Sequence, residues 1–176
     1  MEVLYDDGAL SVTMIVRSDE RRQAIEALLY EEADYLDRAD LDSWIGLYTE
    51  DATYWMPVMP DQEDPVNHIS LFYDDRVLME IRRRNMTHPR APSKDYVVRC
   101  SHIISNVRVT AEDEAAGECT VNSNFQCVMY YNDKQTLFAG TYTHKLVAMD
   151  GGYMISHKRV DLINCDGVHN SIIIYI

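Results

Sequence analysis

Apolar residues recur at helical spacing near the start of the chain. From Ser18 onward they fall on one helical face, and Ser18 or Asp19 is placed to cap the first free amides. The apolar positions are Ile25, Leu28, Leu29, Ala33 and Leu36. A shorter apolar face follows Asp40, which is itself a capping residue. We therefore predict an amphipathic helix from Ser18 and a second helix from Asp40, joined as a hairpin.

The middle of the chain carries shorter elements. Residues 52–56 are aromatic and apolar, which predicts a strand that Pro57 ends. After a polar loop, residues 68–73 predict a short strand. Asp74 and Asp75 then open a helix. We expect its inward face to carry Val77, Leu78 and Ile81.

Alternation with a period of two residues dominates the second half of the chain. Residues 119–131 alternate over their whole length, which is typical of a long half-buried strand. Residues 96–110 and 136–149 are also strand-like, and Asp150-Gly151-Gly152 predicts a tight hairpin into 153–164. Helices followed by long antiparallel strands indicate an α+β fold, with the early helices packed on one face of a curved sheet.

The length and the charge of the chain exclude several classes of function. A chain of 176 residues suits one domain, which we place at 19–176 behind an N-terminal extension over 1–18. The net charge of −13 disfavours a nucleic-acid partner. The chain has neither a signal-peptide pattern nor an apolar run that could span a bilayer, so we expect no membrane association and a cytoplasmic location. The four cysteines are far apart and are expected to be free, mostly buried thiols.

Cys100-Ser101-His102 is the motif with the clearest metal chemistry. A Rieske cluster is held by two Cys and two His, and Cys100 and His102 would point to one face of a strand. The second Cys-x-x-His half of a Rieske site is missing. The histidines also contain no pair at i, i+4 spacing for a helical metal site. We therefore expect no metal and no cofactor on this chain.

Acid and base groups offer a second candidate site. Tyr30 and Asp34 are four residues apart on the first helix, and His102 lies in the middle of a strand, so the three side chains could converge between helix and sheet. Tyr54 and His144 are further candidates. Asp34 equally suits a solvated helix face, and the tyrosines suit an aromatic core.

Two further features suggest contacts with another protein. Arg82, Arg83 and Arg84 form a basic concentration at the end of a predicted helix. They complement the helix dipole, but arginine forks also suit an acidic partner surface. The tail over 171–176 reads S-I-I-I-Y-I, which predicts either a last core strand or an apolar contact with a partner.

One family resemblance covers about residues 20–176. The segment 30–57 carries Y-E-E-A-D-Y-L-D at its start and Y-W-M-P at its end. It resembles the helix hairpin and first strand of the small (beta) subunits of aromatic ring-hydroxylating dioxygenases. Similar segments follow in the same order: 69–84, S-H-I-I-S-N-V at 101–107, G-T-Y at 140–142 and K-R-V-D-L-I-N at 158–164.

The resemblance implies a cystatin-like cone fold and a partner. Such small subunits assemble with an alpha subunit, typically as alpha3beta3 with beta-beta contacts, and the alpha subunit holds the Rieske [2Fe-2S] cluster and the mononuclear Fe(II). This chain would then be a non-catalytic subunit of an oxidoreductase, with no independent activity. The W-M-P segment looks most like subunits of benzoate-type enzymes. We expect the subunit interface to include Trp55, Arg82, Arg83, Arg84, Tyr175 and Ile176.

A different class of function remains open at this stage. The cone fold is shared with isomerases and dehydratases, so the chain could be a free-standing enzyme that uses Tyr30, Asp34 and His102. That alternative predicts a closed polar pocket around these side chains. A small-ligand carrier would instead need a large apolar cavity.

Overall fold

The structure is a computed structural model that describes residues 7–87, 98–169 and 172–176. The described residues form three helices and six strands. The helices are α1 (Asp7–Asp37), α2 (Leu41–Gly46) and α3 (Arg76–Thr87). The strands are β1 (Tyr48–Pro57), β2 (Ser70–Asp75), β3 (Arg99–Asp113), β4 (Glu118–Tyr131), β5 (Lys134–Met149) and β6 (Gly152–Leu162). None of the described helices combines the length and the apolar character needed to cross a bilayer.

The strands form one mixed sheet in the order β2-β1-β6-β5-β4-β3. Strands β3 to β6 make the predicted antiparallel meander, and β1 pairs in parallel with β6. Helix α1 lies against β3 and β6 on one face of the sheet, and α2 follows it as the second arm of the hairpin. The α+β prediction is therefore confirmed.

The period-two pattern of β4 fixes the inner face of the sheet. Its alternate side chains are buried against the helices: Cys119, Val121, Ser123, Phe125, Cys127 and Met129. The four cysteines are free thiols, and three of them are buried, as the sequence predicts. Asp40 caps α2 as predicted, because its Oδ1 accepts a hydrogen bond from the Ser43 amide at 3.1 Å.

The start of α1 differs from the prediction. The helix begins at Asp7, so Ser18 and Asp19 lie inside it and neither caps its first turn. Once a helix has nucleated, each added residue contributes another backbone hydrogen bond, and residues 7–18 contain no proline to stop the extension. The division between an extension over 1–18 and a domain over 19–176 remains a prediction.

The inward face predicted for α3 is wrong. Val77, Leu78 and Ile81 are 65%, 43% and 45% exposed, whereas Met79 is fully buried. The rotation of the helix follows from Arg76, whose Nη1 donates to the carbonyl oxygen of Tyr48 at 2.7 Å. This anchor turns the face with Arg76 and Met79 toward β1 and leaves the other apolar residues in solvent.

The C-terminal tail completes the aromatic core. The ring of Tyr175 stacks on Trp44 with centroids 4.4 Å apart, and its hydroxyl donates to Asp74 Oδ2 at 2.9 Å. The Ile176 amide donates to the Tyr54 hydroxyl at 3.0 Å, and that hydroxyl donates to the Ile176 carbonyl at 2.7 Å. The tail is therefore a core contact of this chain, although its described residues do not form a strand.

Candidate functional site

A buried charged cluster lies between α1 and the sheet. Glu32 enters it from α1, Lys158 from β6, His144 from β5 and Tyr48 from the start of β1, and each is at most 1% exposed. Lys158 Nζ lies 2.9 Å from Glu32 Oε1, and His144 Nε2 lies 3.0 Å from Oε2. The Tyr48 hydroxyl donates to Oε1 at 2.5 Å. The carboxylate of Glu32 is thus the hub of the cluster.

The charges in this cluster follow from burial and pairing. Burial alone would raise the pKa of Glu32, but the ammonium of Lys158 and the hydrogen bond from His144 outweigh it and hold that pKa below its ordinary value. Burial lowers the pKa of His144 despite the nearby carboxylate, so this imidazole is neutral. Lys158 also lies 4.1 Å above the ring of Tyr142. The arrangement is an ion pair between Glu32 and Lys158, with His144 and Tyr48 as neutral donors.

Three groups of the cluster, Lys158, His144 and Tyr48, bond to the fourth, the carboxylate of Glu32. Because His144 Nε2 donates to Glu32, its Nδ1 is the unprotonated nitrogen, and it has no partner among the described residues. A carboxylate already held by three donors is a poor general base. The cluster therefore suits positioning of α1 on the sheet better than proton transfer.

A second polar cluster lies where α1 ends. Asp37 Oδ2 accepts from the His102 amide at 3.0 Å, and Oδ1 lies 2.6 Å from His102 Nδ1. The Cys100 thiol donates to the Leu36 carbonyl at 3.4 Å. Ligand atoms of Asp37, Cys100 and His102 all lie within 4.8 Å of one another. Burial lowers the pKa of His102 and raises the pKa of Cys100 to about 12, so both side chains are neutral at physiological pH.

The acid-base triad predicted from the sequence does not form. Tyr30 is 49% exposed, and Asp34 pairs with Arg38 on the solvent side of α1, with 2.7 Å between Nη2 and Oδ2. Both residues do share a helix face, but it is the outer one. The carboxylate that meets His102 belongs to Asp37, three residues farther along the helix.

Sequence reasoning named His144 but missed Glu32 and Lys158, with which His144 converges. The burial of Glu32 could have been predicted, since this residue falls within the apolar stripe of α1 between Leu28 and Leu36. The burial of Lys158 was harder to predict. A register shift between Lys145 and Leu146 breaks the period-two pattern of the β5–β6 pair, so alternation does not show which face Lys158 is on. A charged residue at an apolar helix position requires a buried partner of opposite charge.

The predicted interface residues divide into two groups. Trp55, Tyr175 and Ile176 are at most 4% exposed, because they pack inside this chain. They therefore offer little surface to a partner, and their place at the interface stays a prediction. The arginines retain surface but are also engaged. Arg82 Nε lies 2.5 Å from Asp74 Oδ2, Arg83 pairs with Glu80 and Asp42, and Arg84 is exposed.

A cleft lies on the face of the sheet that points away from the helices, and its shape bears on the possibility that the chain is a ligand carrier. It has a volume of about 590 Å³ and lies beside Pro60 and Asp61 of the 58–69 loop, over Thr141 of β5 and Arg159 of β6. Arg159 is held there by Asp161, with 2.7 Å between Nε and Oδ2. The cleft is open and carries charged side chains, which does not fit the enclosed apolar cavity that a carrier would need.

His157 makes the stability of the fold depend on pH. Its Nδ1 lies 2.7 Å from Thr53 Oγ1, and burial, together with the charge of Lys145, lowers its pKa to about 4. Between pH 4 and the ordinary value near 6.5 the unfolded chain binds a proton that the folded chain does not. His157 should therefore contribute a fall of about 1 kcal/mol per pH unit to the free energy of unfolding as the pH drops below about 6.5. Urea unfolding at a series of pH values measures this slope.

Two variants separate this effect from general acid sensitivity. His157→Asn keeps a polar atom near Thr53 but removes the titrating ring, so its slope should be shallower than that of the wild type. His68→Asn, in an exposed loop, should keep the wild-type slope. Equal slopes for His157→Asn and the wild type would contradict the assignment.

Comparison with known proteins identifies the family. The family described as the ring hydroxylating beta subunit matches residues 31–166. The beta subunit of toluate 1,2-dioxygenase from Pseudomonas putida is 33% identical over 147 residues, which cover 81% of this chain and 90% of that protein. The crystal structure of the benzoate 1,2-dioxygenase beta subunit from Burkholderia mallei superposes with a TM-score of 0.70 at 28% identity, covering 86% of this chain and 95% of that one.

The fold itself recurs more widely. An NTF2-like protein with a cystatin-like fold from Novosphingobium aromaticivorans superposes with a TM-score of 0.63 at 15% identity, covering 91% of this chain and 93% of that one. This likeness confirms the cystatin-like cone. Together with the family match, it establishes that the chain belongs to the family of ring hydroxylating beta subunits, the small subunits of aromatic ring-hydroxylating dioxygenases.

Proposed function

We propose that this chain has a structural role in the assembly of the oxygenase component, while a larger alpha subunit performs the chemistry. The alpha subunit holds the Rieske [2Fe-2S] cluster and the mononuclear Fe(II), and the two chains associate as alpha3beta3 in the cytoplasm. The substrate class is an aromatic acid. The observation that carries the proposal is the family match over residues 31–166, with relatives named as subunits of toluate and benzoate dioxygenases.

The interior of the cone supports an assembly role. Where a cone-fold enzyme would need room for a substrate, Glu32 and Lys158 form a closed ion pair, and the rings of Phe125 and Tyr142 stack with centroids 4.0 Å apart. Close packing of this kind holds the outer surface in one shape. A subunit with a structural role needs such a rigid outer surface for its contacts with other subunits.

Helix α3 is the surface that we assign to the alpha subunit. The exposed residues Val77, Leu78 and Ile81 form an apolar stripe along it, and Arg82 and Arg84 lie at its C-terminal end. An apolar centre with arginines at its edge has the composition of a protein interface. The arginines thus keep the docking role predicted from the sequence, and the apolar stripe joins them.

The outer face of the sheet suits contacts between copies of this chain. No Asp or Glu occurs at the outward positions of β4 from Thr120 to Tyr130 or of β5 from Gln135 to Val147. Val128 and Leu137 are directly opposite each other there, and both are exposed. In a chain with a net charge of −13, this strip of β4 and β5 without carboxylates lowers the repulsion between identical copies.

Coexpression with an alpha subunit tests the assembly. We expect purified complexes to contain equal numbers of the two chains, three of each by native mass spectrometry. Rieske absorption should accompany the complex and be absent from the small chain alone. Ile81→Glu places a carboxylate in the apolar stripe and should weaken capture of the alpha subunit at least about tenfold.

A matched variant makes the surface assignment specific. Met149 is as exposed as Ile81 but lies at the β5–β6 hairpin, so Met149→Glu should leave capture unchanged. Rieske absorption on the small chain alone, or turnover of an aromatic acid without the alpha subunit, would overturn the proposed function. Equal capture by Ile81→Glu and the wild type would overturn the assignment to α3 only.

A further inference from the structure

We infer that Asp37, Cys100 and His102 form a binding site for a divalent transition-metal ion of the zinc type. The site lies where the C-terminal end of α1 meets the edge strand β3. It revises the expectation, drawn from the sequence, that this chain holds no metal. It depends only on these three side chains and not on the proposed assembly with an alpha subunit.

The backbone brings the three ligands together. Cys100 and His102 are two residues apart on β3 and therefore point to the same face, toward the end of α1. Asp37 is fixed in front of them, because its Oδ2 accepts from the His102 amide at 3.0 Å. The helix and the strand are 65 residues apart in sequence at this contact. The cluster is therefore a product of the fold and not of a local turn.

The spacing of the ligand atoms suits one ion. A carboxylate oxygen, a thiol sulfur and an imidazole nitrogen lie within 4.8 Å of one another. Around a tetrahedral zinc ion with bonds of about 2.0–2.3 Å, neighbouring ligand atoms lie about 3.5 Å apart. Side-chain rotations alone therefore bring the three atoms into range.

The imidazole is able to make such a rotation. His102 bonds through Nδ1 to Asp37, while its buried Nε2 has no hydrogen-bond partner among the described residues. The ring can turn toward an ion without breaking a second hydrogen bond. The soft sulfur and the imidazole nitrogen favour zinc or cobalt over magnesium or calcium.

Solvent access and charge also suit a cation. The side chain of Asp37 is 27% exposed, whereas that of His102 is 1% exposed, so an ion enters from the Asp37 side and keeps a water as fourth ligand. Binding converts the Cys100 thiol to a thiolate and releases one proton to solvent. Carboxylate and thiolate then balance the two charges of the ion. The metal would tie the end of α1 to β3, the last strand in the order of the described sheet.

Cobalt(II) titration of the full chain, first stripped with a chelator, tests the site. We expect one equivalent to bind, with thiolate-to-cobalt charge-transfer absorption and the intense visible bands of four-coordinate cobalt. Zinc should displace the cobalt and raise the Tm. Cys100→Ser should abolish the charge-transfer band, and Asp37→Asn should weaken cobalt binding by at least about a hundredfold, more than loss of an outer-shell partner.

The control is Cys119→Ser, which removes a buried thiol on the inner face of the same sheet. It should keep the absorption and the affinity of the wild type. Absence of a thiolate-to-cobalt band in the folded wild-type chain would overturn the site, whatever the variants do. A band that persists in Cys100→Ser would place the metal at another cysteine and would overturn it equally.

Discussion

Glu32→Gln is expected to lower the free energy of unfolding by about 3–5 kcal/mol, because it leaves the ammonium of Lys158 buried without a counter-charge. Gln has nearly the shape of Glu, so the packing against Tyr48 and His144 is conserved. What changes is the charge, together with one accepting oxygen that becomes a donating NH2 group. Lys158 Nζ lies 2.9 Å from Glu32 Oε1, and both side chains are 1% exposed, so water does not replace the lost carboxylate.

Replacing Lys158 should lower the free energy of unfolding by less than replacing Glu32. In Lys158→Met the carboxylate of Glu32 keeps the hydrogen bonds from Tyr48 and His144. The carboxyl group can also take up a proton and become neutral, which limits the penalty for its burial. The double variant Glu32→Gln, Lys158→Met contains no buried charge in this pair. It should therefore be more stable than Glu32→Gln alone, with a coupling energy of about 1–3 kcal/mol.

Urea unfolding at neutral pH and at one fixed protein concentration measures these differences, since association with other chains would otherwise change the apparent stability. The control is Asp34→Asn, which breaks the exposed pair with Arg38 on the same helix. Its effect should stay below about 0.5 kcal/mol. If Glu32→Gln costs no more than Asp34→Asn, the buried pair does not hold α1 on the sheet.

Periodicity predicted most of the fold, because the pattern of one element is local. The alternation over 119–131 identified β4 and its inner face, and Asp40 marked the start of α2. The pattern failed on α3, where Val77, Leu78 and Ile81 gave a clear apolar face that lies in solvent. An apolar stripe shows that a surface is to be covered. It does not show whether the chain itself or another chain covers it.

The polar sites depend on contacts that no local pattern encodes. Tyr30 and Asp34 were correctly placed on one face of α1, yet only the rotation of the helix on the sheet decides that Glu32 and Asp37 face inward. Glu32 and Lys158 are 126 residues apart in sequence. They meet because β6 pairs with β5 in a register that shifts by a bulge, which the residue pattern did not predict.

Gly140→Ala is expected to cost at least about 4 kcal/mol or to prevent folding, since a side chain there has no space. An added Cβ would lie 1.9 Å from the carbonyl oxygen of Asp161 and 2.9 Å from its carbonyl carbon. Both atoms belong to the backbone of β6, and Gly140 is paired with Leu162 at the end of the β5–β6 ladder. No side-chain rotation relieves such a clash, so the two strands must separate.

Gly46→Ala is the matched control for this substitution. Gly46 closes α2, and an added Cβ would meet nothing within 4 Å. Because Ala is the better helix former, this variant should be as stable as the wild type or more stable by up to about 1 kcal/mol. Soluble yield, circular dichroism and urea unfolding compare the two variants. A Gly140→Ala chain within about 1 kcal/mol of the wild type would mean that β5 and β6 are not held as closely as the structure places them.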